Sequence, residues 1–290
     1  MTYAPLPAPR IAVVTVSYGS AAVLDAFLQS VAQASETAVP VVVADNLAGS
    51  RDSVEAQVLS YGALYTAMPN NRGYGGAANR AAAYLPESVE WILVSNPDVV
   101  LHAGSIDALL ATAQSDPSIG AVGPAILTPA GEVYPSARQI PSLGNGIGHA
   151  LFANLWQSNP WSAAYRGVEA GASGARDAGW LSGACMLVRR SLFDRLGGFD
   201  DAYFMYFEDV DLGWRIGRAG YRNVFEPGAR VTHSGAHSTA QHSRAMVRAH
   251  HASARRFLDV RYAGTRFLAV RTALRMGLWI RGRLVHGRLG

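Results

Sequence analysis

The chain has 290 residues, enough for one large domain or for a domain with a tail, and its hydrophobic fraction of 49% can supply a core. Charged residues make up only 16%, below the usual quarter, which argues against disorder. Every basic side chain is an arginine, so the sequence pI of about 9.4 reflects coding bias as much as any partner.

"IAVVTVSY" (11–18) is a continuous apolar run rich in β-branched residues and predicts a fully buried strand. A helix follows over 21–34, then a second strand, "VPVVVADN" (39–46), ending in Asp45. "ALYTAM" (63–68) is a weaker third strand. "GYGGAANRAAAYL" opens on glycines and becomes an alanine-rich helix, and "WILVSNPDV" (91–99) is a fourth strand. Strands alternating with helices predict an α/β fold with a mostly parallel central sheet covered on both faces. Ligands of such sheets bind beyond the carboxyl ends of the strands. The polar residues Ser17, Tyr18, Asp45, Asn46, Ser95, Asn96 and Asp98 gather there.

Residues 138–179 are rich in Gly, Ser, Ala and aromatics with little periodicity. A loop of that length is usually a lid or a binding loop, and Trp156 and Trp161 point the same way. Regular structure returns with a strand from Trp180 to Arg189. The single cysteine, Cys185, lies in it and reads as a core thiol; one cysteine also excludes a disulfide framework and a cysteine-built zinc cage. A short helix, a "GGFD" turn, an acidic stretch and a strand near "YRNVFE" lead to His233. From His242 the sequence predicts helix to the end, studded with arginines. Those from 266 onward do not form one polar face. Long arginine stems suit an anionic membrane surface, with packing inside the chain or in a homo-oligomer as the competing reading. A nucleic-acid partner is disfavoured for want of a reading helix. The N-terminus shows no signal-peptide core and no apolar run reaches roughly 18 residues, which predicts a chain kept in the cytoplasm.

Three segments carry chemistry. "NNRGYGGAANRA" (70–81) joins a strand to a helix; its glycines allow close backbone approach, and Arg72 with the helix N-terminus suits a phosphate. A plain glycine turn is the alternative. "SNPDVV" places Asp98 just after a strand, as a turn former or as a ligand for a divalent ion bridging two phosphates. "YFMYFEDVDLGWR" (203–215) crowds Glu208, Asp209 and Asp211 among large apolar side chains. Such carboxylates repel each other and resist desolvation unless a metal, a cation or a substrate proton offsets the cost. The alternative is helix chemistry, with acidic residues in a first turn and Asp211 four residues before Arg215.

Taken in order, "VVTVSYGS", "VVVADN", "NRGYGGAAN", "VSNPDVV", "LSGACMLVRR", "GGFDDAYFMYFEDVDLGWR" and "VTHSGAHS" resemble the family 2 inverting glycosyltransferases of the GT-A fold, over about 11–238. Within that family the chain most resembles rhamnosyltransferases that use dTDP-L-rhamnose, one branch of which acts on polyprenyl-diphosphate-linked N-acetylglucosamine in cell-wall linker synthesis. The resemblance implies a transferase domain over 1–240, with 138–179 as an acceptor-side loop, and an Arg-rich helical tail over 241–290. It implies that Val16, Ser17, Tyr18 and Asp45 hold the nucleotide, and that Arg72, Gly73, Asn79 and Asn96 line the donor site. Asp98 and His233 would hold Mg2+ or Mn2+ against the diphosphate. Asp209 would be the general base, with Glu208, Trp180 and Gly183 on the acceptor side. Asn96 stands where the family's acidic motif begins with Asp, and Gly19 where Asn is often found. A lipid-linked acceptor would place the protein at the inner face of the cell membrane. Other expected readings are a UDP- or GDP-sugar transferase, a sugar-nucleotide-binding protein without catalysis, and a nucleotide-sugar hydrolase.

Overall fold

A computed structural model describes residues 10–47, 51–141, 174–235 and 243–277. The expected lid and its tryptophans lie largely outside them. The sheet starts as expected: β1 (Ile11–Ser17), β2 (Val41–Asp45), β3 (Leu64–Ala67) and β4 (Trp91–Ser95) run parallel in the order β3-β2-β1-β4. The intervening helices are α1 (Ala21–Gln33), α2 (Arg51–Ser60) and α3 (Gly73–Ala82).

The far half is mixed. It contains β5 (Val99–Leu101), α4 (Ser105–Ser115), β6 (Ile119–Leu127), the short strands β7 (Val133–Tyr134), β8 (Ala137–Arg138), β9 (Arg176–Ala178) and β10 (Trp180–Leu181), then β11 (Cys185–Arg189). After α5 (Arg190–Leu196) and α6 (Glu208–Arg218) comes β12 (Arg222–His233). β11 inserts antiparallel between β4 and β6, and β12 pairs parallel with β6 and antiparallel with β5. The single strand expected from Trp180 to Arg189 is thus two, broken at the Ser182–Ala184 turn. The sequence reading assigns no element to β6.

Alternation along β1 explains the two cores. Ile11 and Val13 face α1, α2 and α4, through Phe27, Val58 and Leu109. Ala12, Val14 and Val16 face α3, α5 and α6, through Ala77, Phe193 and Leu212. The run is apolar on both faces because both are covered. A third, smaller cluster joins Trp180, Tyr203, Val210 and Phe257. Phe257 belongs to α7 (Ser243–Arg261), the first part of the tail. The tail is not one helix: it breaks at Gly264 and passes through a 3-10 turn (Thr265–Phe267) before helix resumes over 268–277.

Candidate active site

The strand order reverses between β1 and β4, so their carboxyl ends form a crevice. Ser17 lies in register with Asp45. Asp45 is 2% exposed, accepts a hydrogen bond from the Tyr65 hydroxyl at 3.2 Å and caps the turn to Leu47. Its neighbour Asn46 donates to the Gly73 carbonyl at 2.9 Å, tying β2 to the glycine turn. Val16 is buried, whereas Tyr18 is 49% exposed at the mouth. Gly19 has φ +66, a left-handed position that glycine and asparagine both accept, which accounts for the exchange between them.

Across the crevice, β12 delivers His233 beside the turn that precedes β5. His233 Nε2 lies 3.0 Å from Asp98 Oδ1 and 3.3 Å from the Asn96 side-chain amide. Burial pushes the Asp98 carboxyl up, but the His233 hydrogen bond and charge outweigh it and hold the group below its ordinary value. Three lone-pair donors, a carboxylate, an imidazole and an amide oxygen once the amide is turned, converge with a single ring proton to share. That set fits a divalent cation accepting oxygen and imidazole ligands.

The acidic stretch sits at the start of α6, and its entry is strained. Tyr206 and Phe207 have φ +67 and +68 in succession, which costs a non-glycine residue roughly 1–2 kcal/mol each. Such outliers persist only where surrounding packing imposes them. The bend turns Glu208 and Asp209 inward. Asp209 accepts from the Gly183 amide at 2.9 Å and from its neighbour Val210 at 2.8 Å. Burial raises its pKa against these hydrogen bonds and against Arg138. Glu208 is buried with Oε2 unpartnered; desolvation, then the Asp209 charge, push it up to about 8. Asp211 has a different role: it pairs with Arg215 at 2.6 Å, the supporting i,i+4 contact expected of it.

The sign of the Glu208 shift makes a prediction. With its folded pKa above the ordinary 4.5, the folded state holds a proton that the unfolded chain has released, so stability declines as pH rises from about 4.5 to about 8. Glu208→Gln should flatten the melting temperature across that window; an unchanged pH slope would mean that Glu208 is ionised in the folded protein.

Sequence reasoning gives α7 no part in the site. Ser253 Oγ donates to the Met205 carbonyl at 2.8 Å, and Arg256 pairs with Asp200 at 2.7 Å. The His250 ring lies 5.5 and 5.3 Å from Tyr206 and Phe207, and Phe257 lies 5.7 Å from Phe207. Burying Phe257 is worth about 1.5–3 kcal/mol and the Ser253 hydrogen bond about 1, comparable to the strain of the two left-handed residues. Ser253→Ala should therefore cost about 1 kcal/mol in denaturant unfolding and lower turnover more than donor affinity. Equal loss of both would make the contact merely structural.

Tyr74 is likewise absent from the sequence-based site. Its hydroxyl donates to the Gly183 carbonyl at 2.7 Å, so the residue whose amide binds Asp209 is itself held from its other side. Burial, then Glu208, raise its pKa well above the usual value, keeping it a donor. Nothing in the sequence separates this tyrosine from an ordinary turn residue.

Three expected site residues are engaged elsewhere. Arg72 pairs with Asp201 at 2.9 Å. The Asn79 amide is spent on the 198–201 turn, donating to Phe199 O and Asp201 and accepting from Phe199 N. Trp180 is 7% exposed, packed with Val210 and Phe257, and its indole donates to the Gln139 carbonyl. Gly183, expected on the same side, does lie against Asp209: an added Cβ there would come 3.3 Å from Asp209 Cβ. Cys185 is buried, and desolvation lifts its thiol to about 12, as suits an inert core position. Two cavities, of about 340 and 430 Å³, lie beside Trp214 and Asn223 and behind Asp200 and Arg215. Neither is lined by Asp98, Asp209 or His233.

A family model described as glycosyltransferase like family 2 matches residues 8–252. The chain is a family 2 glycosyltransferase. The match continues past 240 into α7, consistent with the packing of that helix on the acidic turn. An N-acetylglucosaminyl-diphospho-decaprenol L-rhamnosyltransferase of Mycobacterium tuberculosis is 44% identical over 94% of this chain and 92% of its own length. The rhamnosyltransferase WbbL of Escherichia coli is 28% identical over 64% of this chain and 70% of its own. Among solved structures, a mannosyltransferase from Pyrobaculum calidifontis in complex with GDP-Man and Mn2+ covers 93% of this glycosyltransferase and 70% of that chain at TM-score 0.57 and 18% identity. GalNAc-T7 with UDP, GalNAc and Mn2+ covers 84% and 47% at TM-score 0.60 and 15% identity. These likenesses show the GT-A-like fold.

Proposed function

We propose that this glycosyltransferase moves L-rhamnose from dTDP-L-rhamnose to a hydroxyl of polyprenyl-diphosphate-linked N-acetylglucosamine, with inversion. The observation that carries the reading is the 44% identity to the mycobacterial L-rhamnosyltransferase over nearly the full length of both chains. Ser17, Tyr18 and Asp45 stand where a base and ribose would sit at the strand ends. Asp209 takes the proton of the acceptor hydroxyl as that oxygen bonds to the anomeric carbon. The bond from that carbon to the diphosphate oxygen breaks on the opposite face, and the nucleoside diphosphate leaves. Burial raises the Asp209 pKa, which makes it a stronger base than an ordinary aspartate. Glu208, kept neutral beside it, is a donor able to orient the acceptor. Asp98 and His233, with Asn96, would hold Mg2+ or Mn2+, which when bound offsets charge on the leaving diphosphate.

A lipid-linked acceptor requires the enzyme to work at the inner face of the cell membrane; among the described residues no helix is long and apolar enough to cross one. Titration calorimetry with dTDP-rhamnose, UDP-sugars and GDP-sugars, each with and without Mn2+, tests the donor. Metal-dependent binding of dTDP-rhamnose alone is expected. Preference for a UDP- or GDP-sugar would replace the donor within the same family. Binding without turnover on any acceptor would favour a sugar-nucleotide-binding protein, the reading that Asn96 invites.

A further inference from the structure

The end of the described chain reverses the usual surface pattern. Over 268–277 the exposed positions are Leu268, Ala269, Thr272, Ala273, Met276 and Gly277, which share one helical face and carry no charge. Leu268 and Met276 are 56% and 60% exposed. The arginines of the same run turn back on the protein: Arg275 pairs with Asp259, and Arg271 donates to the Tyr262 carbonyl at 3.4 Å. A water-facing helix would have placed them outward.

We infer that this face is the membrane-docking surface of the enzyme, lying in the interface of an anionic bilayer. The inference deepens the rhamnosyltransferase reading and rests on its lipid-linked acceptor. Charge selects the partner. Asp259 is the last acidic residue of the chain, and the 31 positions after it hold seven arginines, five of them besides Arg271 and Arg275. An apolar helical stripe within such a basic segment binds where apolar burial and anionic headgroups act together. A second copy of the chain suits the face less well. Ten helical residues span about 15 Å, and a stripe of small side chains that long falls short of the roughly 800 Å² per partner of a stable interface.

Flotation with phosphatidylglycerol vesicles, against phosphatidylcholine alone, tests the inference on the full chain. The protein should float with the anionic vesicles, and Leu268→Asp with Met276→Asp should weaken binding at least about tenfold. Circular dichroism and the turnover of a short soluble acceptor should both stay unchanged, since neither residue belongs to the site. As a second measurement that keeps the face apolar, Met276→Cys carries an environment-sensitive dye; the native thiol, Cys185, is buried. Its emission should shift to the blue on anionic vesicles. Flotation of the double variant like the parent, or no dye response, overturns the inference, as does a dimer in sedimentation that the double variant dissolves. A chain that docks through this face yet turns over no acceptor would sink the transferase reading and leave the docking surface standing.

Discussion

Asp209→Asn is expected to lower turnover by at least about a hundredfold, the scale of a missing general base, while leaving fold and donor affinity intact. The substitution is nearly isosteric, and an amide oxygen still accepts from the Gly183 or Val210 amide that holds the carboxylate now. It removes only the capacity to take a proton. The parent enzyme should lose rate at low pH along a limb that lies above the ordinary carboxylate range, because burial raises the Asp209 pKa. The variant should lack that limb. Single-turnover rates across pH, with melting temperature as the fold control, check both. Near-parental turnover would remove Asp209 from the base role.

Gly73→Ala should be the most disruptive single-methyl change near the site. Gly73 has φ +76, and a Cβ there would lie 1.9 Å from the Phe204 carbonyl oxygen and 2.9 Å from Phe204 Cα. No rotamer relieves a collision with backbone. The segment that must yield runs directly into Tyr206 and Phe207, so the damage reaches Glu208 and Asp209. A loss of at least about 2 kcal/mol in stability is expected from left-handed strain and overpacking together, with at least about a tenfold fall in turnover. Gly62 supplies the control: its φ is +69, but a methyl group there would meet nothing within 4 Å. Gly62→Ala should cost only the strain, roughly 1–2 kcal/mol, and spare activity. Similar losses for the two in urea unfolding would mean that the Phe204 contact is not tight.

Much of the first half of the fold is legible in the sequence because local signals agree there. The strands at 11–17, 41–45 and 91–95 are apolar on both faces, and each is followed by polar residues at the crevice. The second half hides its signals. Strand β6, "IGAVGPAIL", contains two glycines and a proline and does not look like a central strand. The structure gives the reason: a Cβ at Gly120 would come 2.6 Å from Leu192, and one at Gly123 would come 2.8 Å from Leu181. The glycines make room for neighbouring elements, a requirement set by tertiary contact. Likewise, "FEDVD" discloses its carboxylates but not the left-handed pair before them, nor the α7 contacts that hold that pair. The convergence of Asp98 with His233 spans 135 positions and needs the β5–β12 pairing to bring it about. The sequence leaves the tail arginines between a membrane surface and packing within the chain; Arg271 and Arg275 pack back on the Tyr262 carbonyl and Asp259, a contact that only the fold discloses.

The most direct measurement is product analysis after incubation of the enzyme with dTDP-L-rhamnose, Mn2+ and a short polyprenyl-diphosphate-linked N-acetylglucosamine. Inverting transfer gives a rhamnosylated acceptor, resolved by mass spectrometry, whose new linkage has by NMR the anomeric configuration opposite to the donor's. Free rhamnose without transfer, or a linkage that retains the donor's configuration, would contradict it.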